Sequence, residues 1–367
     1  MEKKIPNNLK ELIQEGYVKI AEIPKMNSFD LKDLDKLDAY TVPLISHDYG
    51  AKTPIMWNNL YQKKGLNLRN IMLVADPKEN GELVINALKS DPKYLGGGFG
   101  VGWKERMDLI DRVIPEDLKS INIVVKQGNE LVGYNTDSEG LFRSIKDKFY
   151  ELKKEIEGSN VVLLGSGGVA KEVSKILAEN KVNRISILNR SFEKAVELAH
   201  FLNQKYGPIA TGDGEGQIRG KFLSSELKPD LIINTTDKGS DGPLLNYSSF
   251  SKADLKADPT GECNDRTSRA IARYLRDWQP GVVIADIVIN EKTPNNPNGV
   301  SRTLSVAKSE GLENLINGLG MVVYQAVPAY LKIQEANLDK HPVKAEENEI
   351  LETFKQSAEF NIDKEEK

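Results

Sequence analysis

The chain has 367 residues, a formal net charge of −4, 39% hydrophobic and 28% charged residues, which predicts a globular protein large enough for two domains of about 150 residues each. The small negative balance offers no general field for nucleic acid or an acidic membrane surface. The single cysteine, Cys263, excludes internal disulfides and thiolate metal centres, and His47, His200 and His341 stand too far apart in sequence to suggest a shared metal, so no metal is expected.

Residues 1–38 read as an N-terminal extension, helical over Asn8–Ile20 (Leu9, Leu12, Ile13 on one face) and otherwise solvated. The opening MEKKIPNNLKELIQEG lacks the apolar core of a signal segment, and no run is long enough to cross a bilayer. With one cysteine, a reducing compartment and a cytoplasmic location are expected. From residue 39 to 141 short apolar runs (YTVPLI, NIMLVA, SINIVVK) alternate with amphipathic ones (PIMWNNLYQKKG, GELVINALKS), the pattern of an α/β domain. Residues 142–316 form a second α/β unit. Its first strand is Val161–Leu164, followed by a glycine turn and a helix with Val173, Ile176 and Leu177 inward and Lys171, Glu172 and Lys175 outward. Further strands are predicted at Ile185–Leu188, Leu231–Asn234 and Val282–Val288. The polar stretch Asn246–Gly281 contains a helical piece at Ser268–Trp278 and reads as an inserted helix or loop carrying Cys263. Residues 317–340 hold an apolar helix, MVVYQAVPAYLKI, and residues 341–367 are a charged tail, either one helix or a frayed end.

The glycine turn carries the clearest chemistry. Gly165, Ser166, Gly167, Gly168 and Val169 lie between a buried strand and a helix. That order aims unpaired helix N–H groups and the positive end of a helix dipole at a pyrophosphate. A NAD site carries an acidic residue about 20 residues after the glycines, on the ribose 2′-hydroxyl. Here the second strand ends in Asn189-Arg190-Ser191, with Lys194 close behind. Two cations in that position suit the 2′-phosphate of NADP.

Five segments, in order, resemble the shikimate dehydrogenase family. YNTDSEG (134–140) is similar to its NTDG signature, and GSGGVAKEV with NRSFEKA to its nucleotide loop and NADP-selecting motif. LIINTTDKG (231–239) is similar to the strand and loop beside the nicotinamide, ADIVINEKTP (285–294) to its D-x-V-Y-x-P-x-x-T-P strand, and NGLGMVVYQAV (317–327) to its GLGML-x-x-Q-A helix. The resemblance spans about residues 40–335. It implies an N-terminal α/β substrate domain plus a Rossmann-type NADP-binding domain, the active site in the cleft between them and the last helices returning to the first domain. It also implies reversible hydride transfer between NADPH and 3-dehydroshikimate, or a related cyclohexene or cyclohexane carboxylate.

The family's catalytic Lys and Asp fall on Lys104 and Asp137. An ammonium within hydrogen-bond reach can stabilise or protonate the carbinol oxygen as hydride leaves or joins its carbon. A carboxylate beside it orients the ammonium. The resemblance also assigns Asn122 and Gln325 to the substrate, and Thr235, Thr236 and Gly320 to the neighbourhood of the cofactor.

Departures fall on the substrate side. Where the family holds the substrate carboxylate with S-x-S-P, this chain reads SHDYGAKTP. With Pro54 as anchor, Thr53 keeps the second hydroxyl and Ala51 loses the first. With His47 as anchor, Asp48 stands at the first position, with Lys52 near enough to offset its charge. The family's N-V-T-x-P-x-K becomes Gly98-Phe99-Gly100-Val101-Gly102-Trp103-Lys104, so two polar contacts are replaced by glycine in a segment expected to be flexible and roomy. The tyrosine of D-x-V-Y becomes Ile289. Quinate and aminoshikimate-type compounds are therefore alternatives to shikimate. An NADPH-binding regulatory or interaction protein without turnover is an alternative of another class, and a methylene-tetrahydrofolate dehydrogenase a third. Monomer and homodimer are both compatible with the sequence.

Overall fold

The structure is a computed structural model that describes residues 5–23, 30–47, 52–224, 227–290, 296, 299–341 and 345–358. The chain divides into two units, Met1–Asp137 with Gln325–Lys367, and Ser138–Tyr324.

The second unit is built on a parallel sheet. Its strands run in the order Ala210–Gly214, Arg184–Asn189, Asn160–Leu164, Leu231–Asn234, Val283–Asp286, Leu315–Ile316. Every neighbouring pair is parallel. This 3-2-1-4-5-6 order in chain sequence is that of a doubly wound, Rossmann-type sheet. The apolar run at Val161–Leu164 follows from helices on both faces. Side chains alternate across a strand, so Val161 and Leu163 enter one core while Val162 and Leu164 enter the other. The first core is closed by the helices Gly168–Glu179 and Phe192–Tyr206, the second by Glu262–Trp278 and Arg302–Ser309.

The stretch read as an insertion is part of that second core. Its helix begins at Glu262, six residues before the expected start, because Asp258 accepts hydrogen bonds from the N–H groups of Cys263 (3.1 Å) and Asn264 (2.8 Å). Ile271, Ala272 and Leu275 are then buried against the sheet. Cys263 therefore lies in the first turn of a helix, exposed, rather than in a loop.

In the first unit a mixed sheet runs Gly96–Gly98, Ile123–Gln127, Glu130–Tyr134, Arg112–Val113. Two smaller sheets pair Lys19–Ile20 and Leu44–Ile45 with Leu73–Val74, and Ala39–Thr41 with Leu68–Asn70. The helices Thr53–Lys63 and Gly81–Ser90 match the two expected amphipathic segments. The N-terminal helix is shorter than the expected Asn8–Ile20: it ends at Gln14, and Lys19–Ile20 is a strand. Asn8 caps the helix Leu9–Gln14 by accepting from the N–H of Glu11 (2.9 Å), the N–H of Leu9 donates to Asp91 (2.9 Å), and Leu9, Leu12 and Val18 enter the core. The tail also forms a helix, Glu347–Ser357, tied to the helix Thr53–Lys63 and the residue after it. Lys64 pairs with Glu349, Lys63 Nζ donates to Thr353 (3.1 Å) and Asn59 to Ser357 (3.0 Å). Among the described residues no helix is long and apolar enough to cross a membrane.

Leu12 is fully buried. Leu12→Ala is expected to lower the stability of the first unit by about 2–4 kcal/mol in urea denaturation. A change below about 0.5 kcal/mol, the range of ordinary surface positions, would show that the N-terminal helix is peripheral.

Candidate active site

In the first unit, the segment carrying Lys104 is held by its neighbours. Gly96–Gly98 is an edge of the mixed sheet, paired with Ile123–Val125. The rest of the glycine-rich segment leaves this strand as a turn, with the N–H of Gly100 donating to the carbonyl of Leu44 (2.8 Å) and that of Lys104 to the carbonyl of Gly100 (3.2 Å). Gly96 has φ +128°, and a Cβ on Gly97 would collide with the backbone carbonyl of Val42. Glycine is needed there for close packing of chain on chain. Beyond the strand, Phe99 and Trp103 are buried with their rings 5.6 Å apart, edge to face, and the indole N–H of Trp103 donates to the carbonyl of Ala75 (3.0 Å). The carbonyl of Lys104 accepts from the N–H of Ile121 (2.9 Å). Its backbone is pinned on both sides, and 34% of its side chain stays accessible.

The partner is Asp137, at the start of the helix Asp137–Glu151, its N–H donating to the side chain of Asn135 (3.0 Å). Lys104 Nζ donates to Asp137 Oδ2 at 2.6 Å. The other carboxylate oxygen accepts from Asn122 Nδ2 at 2.8 Å. The Asn122 amide is the hub of the cluster. Its Nδ2 also lies 3.0 Å from Thr136 Oγ1 and 3.0 Å from Gln325 Oε1, and its Oδ1 accepts from the Thr136 N–H at 2.8 Å. The Thr136 hydroxyl reaches Gln325 Oε1 at 3.0 Å. Asn122 and Thr136 are buried, so each contact replaces one to water. Lys104, Asp137, Asn122 and Gln325, chosen from motifs far apart in sequence, thus form one connected set. Thr136 completes it, a residue passed over although it stands inside the NTD motif. Thr53 does not join. It sits half-buried in the first turn of the helix Thr53–Lys63, and among the described residues it makes no hydrogen bond to this cluster. Asp48 and Ala51 lie outside the described residues.

The second unit holds the nucleotide elements. Gly165 has φ +108°, and a Cβ there would stand 2.5 Å from Thr235 Oγ1. The N–H of Gly165 donates to the carbonyl of Leu188 (2.9 Å), and Thr235 donates from both N–H (2.8 Å) and Oγ1 (2.9 Å) to the carbonyl of Leu164. The turn is thereby pressed against the sheet end. Gly167 caps the helix Gly168–Glu179 and brings no side chain to satisfy its first N–H groups, which leaves them for an anion. Beside the turn lies a cavity of about 590 Å³ lined by Gly165, Ser166, Gly167, Asn189, Arg190, Thr235 and Thr236. Arg190 and Lys194 are exposed and have no carboxylate partner among the described residues. Ser191 caps the helix Phe192–Tyr206, and Asn189 Nδ2 donates to its carbonyl (2.9 Å). Gly168, Val169, Ser191, Lys194 and Gly320 stand outside the lining of this cavity. An open helix end, a glycine turn that admits no Cβ and unpaired cations at the second strand end fit a phosphorylated dinucleotide. Among the described residues no group of three or more His, Cys, Asp and Glu could hold a metal.

A buried carboxyl supports one wall. Asp286 accepts from Ser301 Oγ (2.6 Å), Asn234 Nδ2 (2.9 Å) and the N–H of Val288 (2.9 Å). Asn234 Oδ1 in turn accepts from Thr236 N–H (3.0 Å) and Oγ1 (2.7 Å). Burial pushes the Asp286 carboxyl up to about 6, against the pull of its hydrogen bonds. The folded chain then keeps a proton that the unfolded chain loses near 3.8. Its contribution to stability is full below about 4 and lost as pH rises through about 6. Asp286→Asn, which keeps the acceptor and the shape, is expected to remove that decline from a thermal-melting series between pH 4 and 7; an unchanged slope would place the titration elsewhere.

Comparison with known proteins agrees with this geometry. The family model described as shikimate / quinate 5-dehydrogenase matches residues 147–213. A shikimate dehydrogenase (NADP(+)) of Caldanaerobacter subterraneus is 33% identical over 56% of this chain and 71% of its own length. A shikimate dehydrogenase (NADP(+)) of Methanococcus vannielii is 29% identical over 76% of this chain and 85% of its own. The crystal structure of a shikimate 5-dehydrogenase from Listeria monocytogenes, in complex with shikimate and NAD, superposes with a TM-score of 0.62 at 20% identity, covering 86% of this chain and 95% of that one. Sequence relatedness over most of another chain's length, and the same two-part fold, make this protein a member of the shikimate dehydrogenase family, NADP-dependent oxidoreductases that act on a CH–OH group.

Proposed function

We propose that the chain is a cytoplasmic NADP-dependent dehydrogenase that moves a hydride reversibly between NADPH and 3-dehydroshikimate or a closely related ring carboxylate. The observation that carries this reading is the 2.6 Å contact of Lys104 with Asp137, braced by Asn122. When bound, the nicotinamide supplies or accepts the hydride. Lys104 hydrogen-bonds the oxygen whose carbon changes oxidation state, and gives it a proton in the direction of reduction. Asp137 fixes the ammonium and, with Gln325, accepts from ring hydroxyls. Such proton transfer is worth typically 10²–10⁴-fold in rate. The helix end at Gly167 and Gly168 takes the pyrophosphate, and Arg190 and Lys194 take the 2′-phosphate.

The substrate half favours no stronger choice among ring acids. Glycine at 98 and 100 removes two polar groups, each worth about 1 kcal/mol net, so shikimate is held more weakly than by a site that keeps them, and quinate or an aminoshikimate-type acid is the alternative. A binding-only protein has no use for a hydrogen-bonded Lys–Asp pair.

Absorbance-monitored reduction of NADP⁺ with shikimate, quinate and an aminoshikimate analogue in parallel tests the activity. Lys104→Ala is expected to lower kcat about 10³-fold while the Kd for NADPH moves less than about threefold. Equal losses in both would contradict its role at the reacting oxygen. Arg190→Ala is expected to weaken NADPH about tenfold or more, the scale of one charge-assisted contact, with little effect on NADH. An unchanged preference would remove Arg190 from the 2′-phosphate.

A further inference from the structure

The cavity beside the glycine turn contains an ion pair that no motif announces. Lys238 and Glu215 both line it and are only 8% and 6% exposed. Lys238 Nζ donates to Glu215 Oε1 and to the carbonyl of Ser251 (2.7 Å). The same carboxylate oxygen accepts from the N–H of Ala253 (3.0 Å). Three separate segments are joined there: the loop after the Leu231–Asn234 strand, the end of the Ala210–Gly214 strand, and the stretch that precedes the helix Glu262–Trp278. Asn264 fastens that third segment from behind, its Nδ2 donating to the carbonyls of Ser251 (3.2 Å) and Lys252 (3.0 Å).

The charge around the cavity is nearly balanced. Arg190, Lys238, Lys252 and Lys256 face Glu215, Asp237 and Asp254, so four cations against three carboxylates leave one positive charge. Loss of the Lys238 ammonium would cancel it and uncover a carboxylate in the wall. A carboxylate facing a 2′-phosphate costs more than one facing a 2′-hydroxyl, because the phosphate adds charge at the same site. The buried ammonium is itself pressed toward its neutral form by desolvation, and Glu215 opposes that pressure.

We propose that Lys238 is a positioning residue for the dinucleotide: it neutralises Glu215 inside the cavity and ties the 251–253 backbone to the strand end, so that the 2′-phosphorylated form is preferred. The inference rests on the reading of this cavity as the NADPH site.

Fluorescence titration of NADPH and NADH on the full chain tests it, with Lys238→Met, Glu215→Gln and the double variant. Lys238→Met is expected to lower the preference for NADPH over NADH by about tenfold. The double variant is expected to recover the preference to within about threefold of the unaltered chain. Equal losses for the two dinucleotides, or no recovery in the double variant, would overturn the proposal by making the pair merely structural. Should circular dichroism show Lys238→Met unfolded, Glu215→Gln alone decides. It leaves the wall more positive and is expected to raise the preference, and a preference unmoved or lowered sinks the idea. Failure of the unaltered chain to bind either dinucleotide would instead overturn the cofactor reading, and the inference with it.

Discussion

A polar group withdrawn from water must find its partner inside the fold, and in this chain that requirement shapes both candidate sites. Asn122 can be buried only because its amide meets Asp137, Thr136 and Gln325 at 2.8–3.0 Å. The ammonium of Lys104 is then placed by a carboxylate that is itself held, so the one accessible cation of the cluster has a defined position. A half-satisfied network would cost more than an apolar core of the same shape. The Lys104–Asp137 pair and its frame therefore stand or fall together.

The same rule operates in the second unit. Asp286 is buried among three donors, and through Asn234 it sets the orientation of Thr236 in the cavity wall. Lys238 and Glu215 are buried together and share their remaining contacts with backbone groups of the 251–253 stretch. Polar chains of this kind rigidify the cavity wall they line. Glycine contributes the complementary constraint. Gly97 and Gly165 stand where a Cβ would strike Val42 or Thr235, so chain and chain approach to a distance that no other residue permits. In the segment 96–104, Gly96 and Gly97 serve packing while a Cβ on Gly98 would meet only ordinary contacts, and the buried Phe99 and Trp103 anchor the chain that leads into Lys104.

Local pattern made the second unit readable. Four apolar residues, a glycine turn and a helix with one apolar face describe a strand buried on both sides and a crossover, and the Leu231–Asn234 strand was found residue for residue. The pair Lys104 and Asp137 was legible through resemblance, since no spacing in the chain ties residue 104 to residue 137. The N-terminal segment misled beyond Gln14: the spacing of Leu9 and Leu12 was legible, but Lys19–Ile20, expected helical, is a strand fixed by its pairing with Leu73–Val74. The stretch before Glu262 misled as well, because its helix start depends on a capping carboxylate four residues upstream, Asp258.

What the sequence determined by itself is whatever depends on neighbours along the chain: the strand–turn–helix order, the basic end of the second strand, the absence of a cysteine framework, and the motifs that place the chain in its family. What only the tertiary structure decided is whatever depends on residues distant in sequence meeting in space. The Asn122 hub joins positions 104, 122, 136, 137 and 325 through contacts whose partners are up to 203 residues apart. The Lys238–Glu215 pair joins three segments that share no motif. Hydrogen bonds and ion pairs act over a few ångströms regardless of sequence separation, so their partners are fixed by packing, and packing is settled only when the whole chain has folded.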